Sequence, residues 1–199
     1  MSLQACADLV QRGDPDRFAA AMAAPVAARK VLFPLYAFNL EVARAPWVTE
    51  EPMIAEMRLQ WWRAALGEIG AGGSVRRHEV VPPLAEVVDA QTAMVLDAAV
   101  AARRWDIYRD PFEDMAAFQG YLDATAGGLT WTAARALGAP AETEPVIRDF
   151  AWGAGLAAWF LAIPTLQARG RSPLPAGRPG ADPTLAREGL RRLAPARRS

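Results

Sequence analysis

Between residues 3 and 168, apolar side chains return every three or four positions, and no stretch alternates residue by residue. That spacing buries one face of a helix, and the missing alternation leaves no half-buried strand to expect. Punctuation divides the pattern. Asp14-Pro15-Asp16 opens one helix, with proline at a first-turn position that needs no amide donor. A long segment runs from about Val26 to Arg44, with Pro34 as a kink point. Thr49-Glu50-Glu51-Pro52 opens the next, which runs to Ile69 and stops at Gly70-Ala71-Gly72-Gly73. Pro82-Pro83 precedes a helix through Val87, Met94, Leu96 and Val100 to about Arg104. Asp110-Pro111-Phe112-Glu113 has the form of a capping box and starts a helix ending near Gly138-Ala139-Pro140. The last long helix covers about Glu144 to Ala168. Helices joined by short links make an all-α fold.

After Gly170 the pattern changes. Four prolines and three glycines between Gly170 and Pro183 are loop chemistry, followed by a short segment with Leu185, Ala186, Leu190 and Leu193 on one face. The expected division is a helical domain over 1–168 and a Pro/Gly-rich basic tail with a short helix over 169–199.

Composition narrows the class. Of 199 residues, 52% are hydrophobic, which excludes a chain disordered throughout. Cys6 and His78 are the only residues of their types, so neither a disulfide scaffold nor a Cys/His zinc module can form. Basic and acidic side chains balance at 22 each, which gives no reason to expect nucleic acid as a partner. The charge is unevenly placed, however. Residues 168–199 carry eight arginines against Asp182 and Glu188, a net of +6, which leaves −6 for the body. A basic tail fits an anionic membrane surface or a phosphate group, and equally a solvated end. No N-terminal signal is evident, so the expected location is cytoplasmic, with the inner membrane as a peripheral site.

Phe150 to Ala168 holds 19 consecutive uncharged residues. Gly153, Gly155, several alanines and Pro164 dilute its hydrophobicity, so a buried helix facing an apolar cavity is expected rather than a membrane span. Asp106 and Asp110 have the spacing that lets two carboxylates share magnesium on one helix face. Asp110 precedes a proline, however, and reads better as a cap. His78 has no partner in sequence for nucleophilic chemistry. Gly127-Gly128 within a helix signals close packing or room for a ligand. Trp61 and Trp62 point about 100° apart on a helix. Arg58, one turn before Trp62, either presents a cation at a cavity mouth or snorkels over an aromatic residue.

Four stretches together resemble the squalene/phytoene synthase family: Leu35-Tyr-Ala-Phe-Asn39-Leu-Glu41, Met57-Arg-Leu-Gln-Trp-Trp-Arg63, Tyr121-Leu-Asp-Ala-Thr-Ala-Gly-Gly128 and Gly170-Arg171-Ser-Pro-Leu-Pro175. The resemblance covers about residues 15–195. It implies an isoprenoid-synthase-like helical bundle around an apolar cavity for prenyl chains. Arg58 and Arg171 are then candidate anion contacts, with Tyr36, Tyr121 and Gly127 lining the cavity. The family usually continues with further helices past the Leu-Pro step. The chain is therefore either a piece of a longer protein or a shortened member, its cavity open on one side.

Active members of that family condense prenyl diphosphates with magnesium held by two aspartate-rich motifs. Here the neighbourhood of the first has Ala43, Arg44 and Trp47, and the stretch before Gly170 has no acid at all. The Asn39-x-Glu41 variant with Arg-Leu-Gln-Trp-Trp looks most like the non-catalytic branch that includes the mitochondrial respiratory complex I assembly factor. The leading expectation is a protein that binds a prenyl lipid or prenyl diphosphate, or assists assembly of a membrane complex with a protein partner. It would have no catalytic residues, no metal ligands and no cofactor. The alternative is an active Mg2+-dependent prenyltransferase with an unusual diphosphate site built from arginines, whose metal is held by other acids, such as Asp106 or Asp123. The third reading is a scaffold docked on anionic membrane by its tail.

Overall fold

The computed structural model describes residues 3–175 and 183–196, and among them there is helix, turn and loop but no strand. Helix α1 (Leu3–Gly13) leads into α2 (Pro15–Ala23), where the Asp14 carboxylate accepts the Arg17 N–H at 3.0 Å. That bond fills one of the orphan donors of a first turn. Helix α3 (Val26–Arg44) runs through Pro34 and tightens into a 3-10 turn, Ala45–Trp47. Helix α4 (Pro52–Gly70) starts on its proline as expected.

Three boundaries differ from the pattern reading, each for a local reason. The segment after Pro82 is two helices, α5 (Val81–Ala85) and α6 (Ala90–Ala102). Asp89 and Thr92 make the break. The Asp89 carboxylate accepts the Thr92 N–H at 2.8 Å, and Thr92 Oγ1 accepts the Asp89 N–H at 2.9 Å. Helix α7 (Met115–Leu122) begins after Asp114, which accepts from the Ala117 N–H at 2.8 Å, so the Asp110–Glu113 box caps nothing. Phe112 is instead buried, which holds that loop against the core. The helix expected to run on to residue 138 is interrupted by a π turn, Asp123–Gly127, before α8 (Gly128–Ala136). Helices α9 (Glu144–Ala168) and α10 (Pro183–Ala196) complete the chain.

Side chains sort into two apolar clusters. One joins α1, α3, α4, α5, α6 and α8, with Phe38 edge-on to Trp62 at 5.2 Å. The other joins α7, α9 and α10 around Phe118, Trp152 and Trp159. Leu174 and Leu185, from the segment expected as a tail, are buried in this second cluster. Of the expected linker, residues 176–182 lie outside the described residues.

Glycine sets the spacing of α9 on both sides. Towards α10, a Cβ on Gly153 would stand 3.0 Å from the Gly189 carbonyl oxygen. Towards the π turn, a Cβ on Gly155 would stand 2.6 Å from Ala126 Cβ, closer than two carbons can pack. In an open helix, Gly→Ala gains up to about 1 kcal/mol. At this contact the sign reverses: Gly155→Ala should cost ~1–3 kcal/mol of unfolding free energy, read from urea titration. Adding Ala126→Gly should recover most of that loss. If Gly155→Ala alone stabilises the protein, the close approach is absent.

Candidate functional site

The two clusters leave a cavity of about 380 Å³ between α3, the α7–α8 segment and α9. Gly155, Ala158, Trp159, Ala162 and Leu166 form one stripe of α9 at helical spacing, and all five line it. Asn39, Leu40 and Ala43 of α3 face them, with Trp47 from the 3-10 turn. The walls are therefore apolar or small, with the Asn39 amide as the polar group on the α3 side.

At the end of α6 the chain tightens into a second 3-10 turn, Arg103–Asp106, which brings a charge pair to the cavity. Asp106 is 2% exposed. Arg103 Nη1 donates to its Oδ2 at 3.1 Å, and Tyr121 Oη donates at 3.0 Å. The same Arg103 nitrogen donates to Tyr121 Oη at 2.8 Å, which closes a three-membered network. A buried carboxylate is tolerable only when paired in this way. Burial raises the Tyr121 phenol well above its ordinary pKa, so the hydroxyl stays protonated and keeps donating. Burial alone would depress Arg103, but the pull of Tyr121 and Asp106 outweighs it and the net shift is upward.

The five sequence candidates fall in different places. Tyr121 lines the cavity. Tyr36 lies one step back, under the guanidinium of Arg17, which itself lines the cavity, at 5.5 Å. Gly127 closes the π turn, where a Cβ would meet the half-exposed Asp123 carboxylate at 2.8 Å, and it does not line the cavity. Arg58 is exposed and borders a separate groove on α4 with Ile54, Met57 and Trp61. The cation over Trp61 is Arg76, at 5.2 Å. Arg171 donates to the backbone oxygens of Tyr108 and Asp106 and lies 4.5 Å from the Trp47 ring centre.

Other singled-out residues have structural partners. His78 packs against both Trp61 and Trp62, and its Nδ1 accepts the Val80 N–H at 3.1 Å. Asp110 is exposed and forms no pair with Asp106. Asp123 is about half exposed and bridges to Arg148 at 3.3 Å. Arg103 is a site residue that the sequence does not flag. Its signal, an arginine three residues before an aspartate at a helix end, is too common to stand out. A larger groove of about 730 Å³ between α4 and α6 is floored by alanine and glycine and bridged by Arg63–Asp97 at 2.8 Å. It gathers no polar network like that of Asp106.

These donors do not fit the magnesium cluster that the family resemblance implies. Such a site needs several hard oxygen ligands converging. Among the described residues no three acidic, His or Cys side chains gather in that way. The cavity's carboxylate, Asp106, is committed to Arg103 and Tyr121.

Removing one partner should expose the cost of this network. Asp106→Ala leaves Arg103 uncompensated and should lose ~3–5 kcal/mol in chemical denaturation. Tyr121→Phe keeps the ion pair and should lose only ~1–3 kcal/mol. Equal and small losses would show that the network carries little.

No curated protein matches the chain. The squalene/phytoene synthase family model does, over residues 10–191. Because that match runs through every element walling the cavity, the chain belongs to the squalene/phytoene synthase family.

Proposed function

We propose that this family member binds a prenyl lipid in the central cavity without magnesium-dependent turnover. The observation that carries the reading is the make-up of the facing walls: Asn39 and Ala43 on α3, Ala158 and Ala162 on α9. Ionising a carbon–oxygen bond to diphosphate requires the leaving charge to be neutralised as it develops. Alanine and a neutral amide supply no ligand for the cation that would do this. The apolar lining is suited to a hydrocarbon chain, and the volume lies in the ordinary range for a small-molecule pocket.

The test is pyrophosphate release from farnesyl and geranylgeranyl diphosphate with magnesium. The expected result is no release, together with a saturable thermal shift on adding either compound. Release with a lipid product would overturn the reading in favour of an active prenyltransferase.

A second reading, docking to a membrane or to a membrane complex under assembly, is favoured by the outward face of α9. Helix 141–168 is long and apolar enough to cross a membrane by length and composition, and one third of its most apolar window is buried. Phe150, Ala154, Ala157, Leu161 and Pro164 lie exposed along one side, with Leu161 at 84%. The adjoining α10 turns Arg187, Leu190 and Arg191 outward. Apolar surface beside cations suits an anionic bilayer. Co-sedimentation with vesicles containing phosphatidylglycerol should be lost in Leu161→Asp and weakened in Arg187→Glu. If both variants bind as the parent does, this face is not the docking surface.

A further inference from the structure

The first half of α4 leaves an apolar row uncovered. Met53 is 75% exposed and Met57 66%, with Ile54 and the preceding Val48 exposed beside them. Met53, Met57 and the half-buried Trp61 follow one another at four-residue spacing, so they lie along one side of the helix. A single exposed apolar side chain is ordinary, but a group of them marks a contact surface. The row borders the groove of about 440 Å³ on α4, whose lining takes Ile54, Met57, Arg58 and Trp61 from that helix and Glu41 from α3.

The charges on this face say what covers it. Glu41 is half-buried and Arg58 exposed, and neither side chain has a hydrogen-bond or ionic partner among the described residues. A partly buried carboxylate without a cation carries a desolvation cost, which an incoming cation offsets. Arg58 offers an incoming carboxylate a charge-assisted hydrogen bond in return. One groove therefore asks for both signs at once. The start of α4 adds Glu50 and Glu51, both exposed and without a side-chain partner among the described residues. Carboxylates here repel an anionic bilayer, which separates this face from that of α9 and α10, where Arg187 and Arg191 turn outward. The surface that brings a carboxylate for Arg58, a cation for Glu41 and an apolar row for the methionines is this same face on a second chain. Two-fold symmetry makes the match reciprocal, since each contact is then made twice. Methionine suits such a contact, because its flexible thioether adapts to the surface it meets.

We propose that the α4 face is the interface of a two-fold symmetric dimer of this chain, in which Arg58 of each copy meets the partner's Glu41. The Met53 and Met57 rows pack on one another and close the groove. This inference stands apart from the prenyl-lipid reading, because the groove is separate from the cavity that Tyr121 lines.

The experiment is sedimentation velocity on the full chain over a concentration series, with a melting curve for each variant to show that it is folded. The parent should reach twice the 21.5 kDa of one chain. Met57→Asp, at an exposed position, should stay at the mass of one chain. Arg58→Glu should weaken association at least about tenfold. Joining Arg58→Glu to Glu41→Arg in one chain should restore the dimer, because the symmetric contact is rebuilt with its signs exchanged. Leu161→Asp, on α9, should leave association unchanged. A parent that stays monomeric at every concentration would overturn the inference, as would a dimer that survives both Met57→Asp and Arg58→Glu. A dimer lost in Leu161→Asp but kept in Met57→Asp would place the interface on α9 instead. A doubly exchanged chain that is folded yet monomeric would overturn the Arg58–Glu41 contact; if that chain does not fold, Met57→Asp and Arg58→Glu decide.

Discussion

A carboxylate taken out of water must be met by a cation and by donors, and the way Asp106 is met ties distant parts of this chain together. Its side chain engages Arg103 from the end of α6 and Tyr121 from α7, while its backbone oxygen accepts from Arg171 beyond α9. One buried charge therefore fixes the mutual placement of three segments. The cavity lies against this junction, so its position follows from where the charge pair is satisfied. Aromatic rings pack at the same junction, Trp105 on Phe112 at 4.0 Å and Tyr121 edge-on to Trp159 at 5.3 Å.

How much of the fold is legible in the sequence depends on the range of the signal. The ends of α2, α3, α4 and α9 follow from residues within one turn, where proline, aspartate and glutamate mark them. The break between α5 and α6 comes from the same local chemistry, but its signal, Asp89 followed by Thr92, is faint beside the louder Pro82-Pro83. The start of α7 is a different case. Asp110-Pro111 and Asp114 are both capping sequences, and the burial of Phe112, a tertiary contact, selects the later one. Local pattern cannot rank two caps when a distant core decides between them.

The site is legible in part for a related reason. Tyr121 and the apolar stripe of α9 are readable because the family resemblance and the helical spacing both point to them. Arg58 neighbours two tryptophans, which suggests a cavity, yet the groove it borders with Trp61 and Trp62 is separate from the cavity that Tyr121 lines. Arg103 leaves no mark in the sequence, since single arginines at helix ends are common. Only its meeting with Asp106 and Tyr121 in space sets it apart.

The tie between Arg171 and the turn at Asp106 also orders the birth of the molecule. The first apolar cluster draws on residues up to Ala133 and can condense while the rest of the chain is still being made. The second needs Leu174 and Leu185. Until those residues leave the ribosome, Phe118, Trp152 and Trp159 lack part of their cover. For that interval the nascent protein is a finished half carrying an open, sticky one, the state most exposed to aggregation.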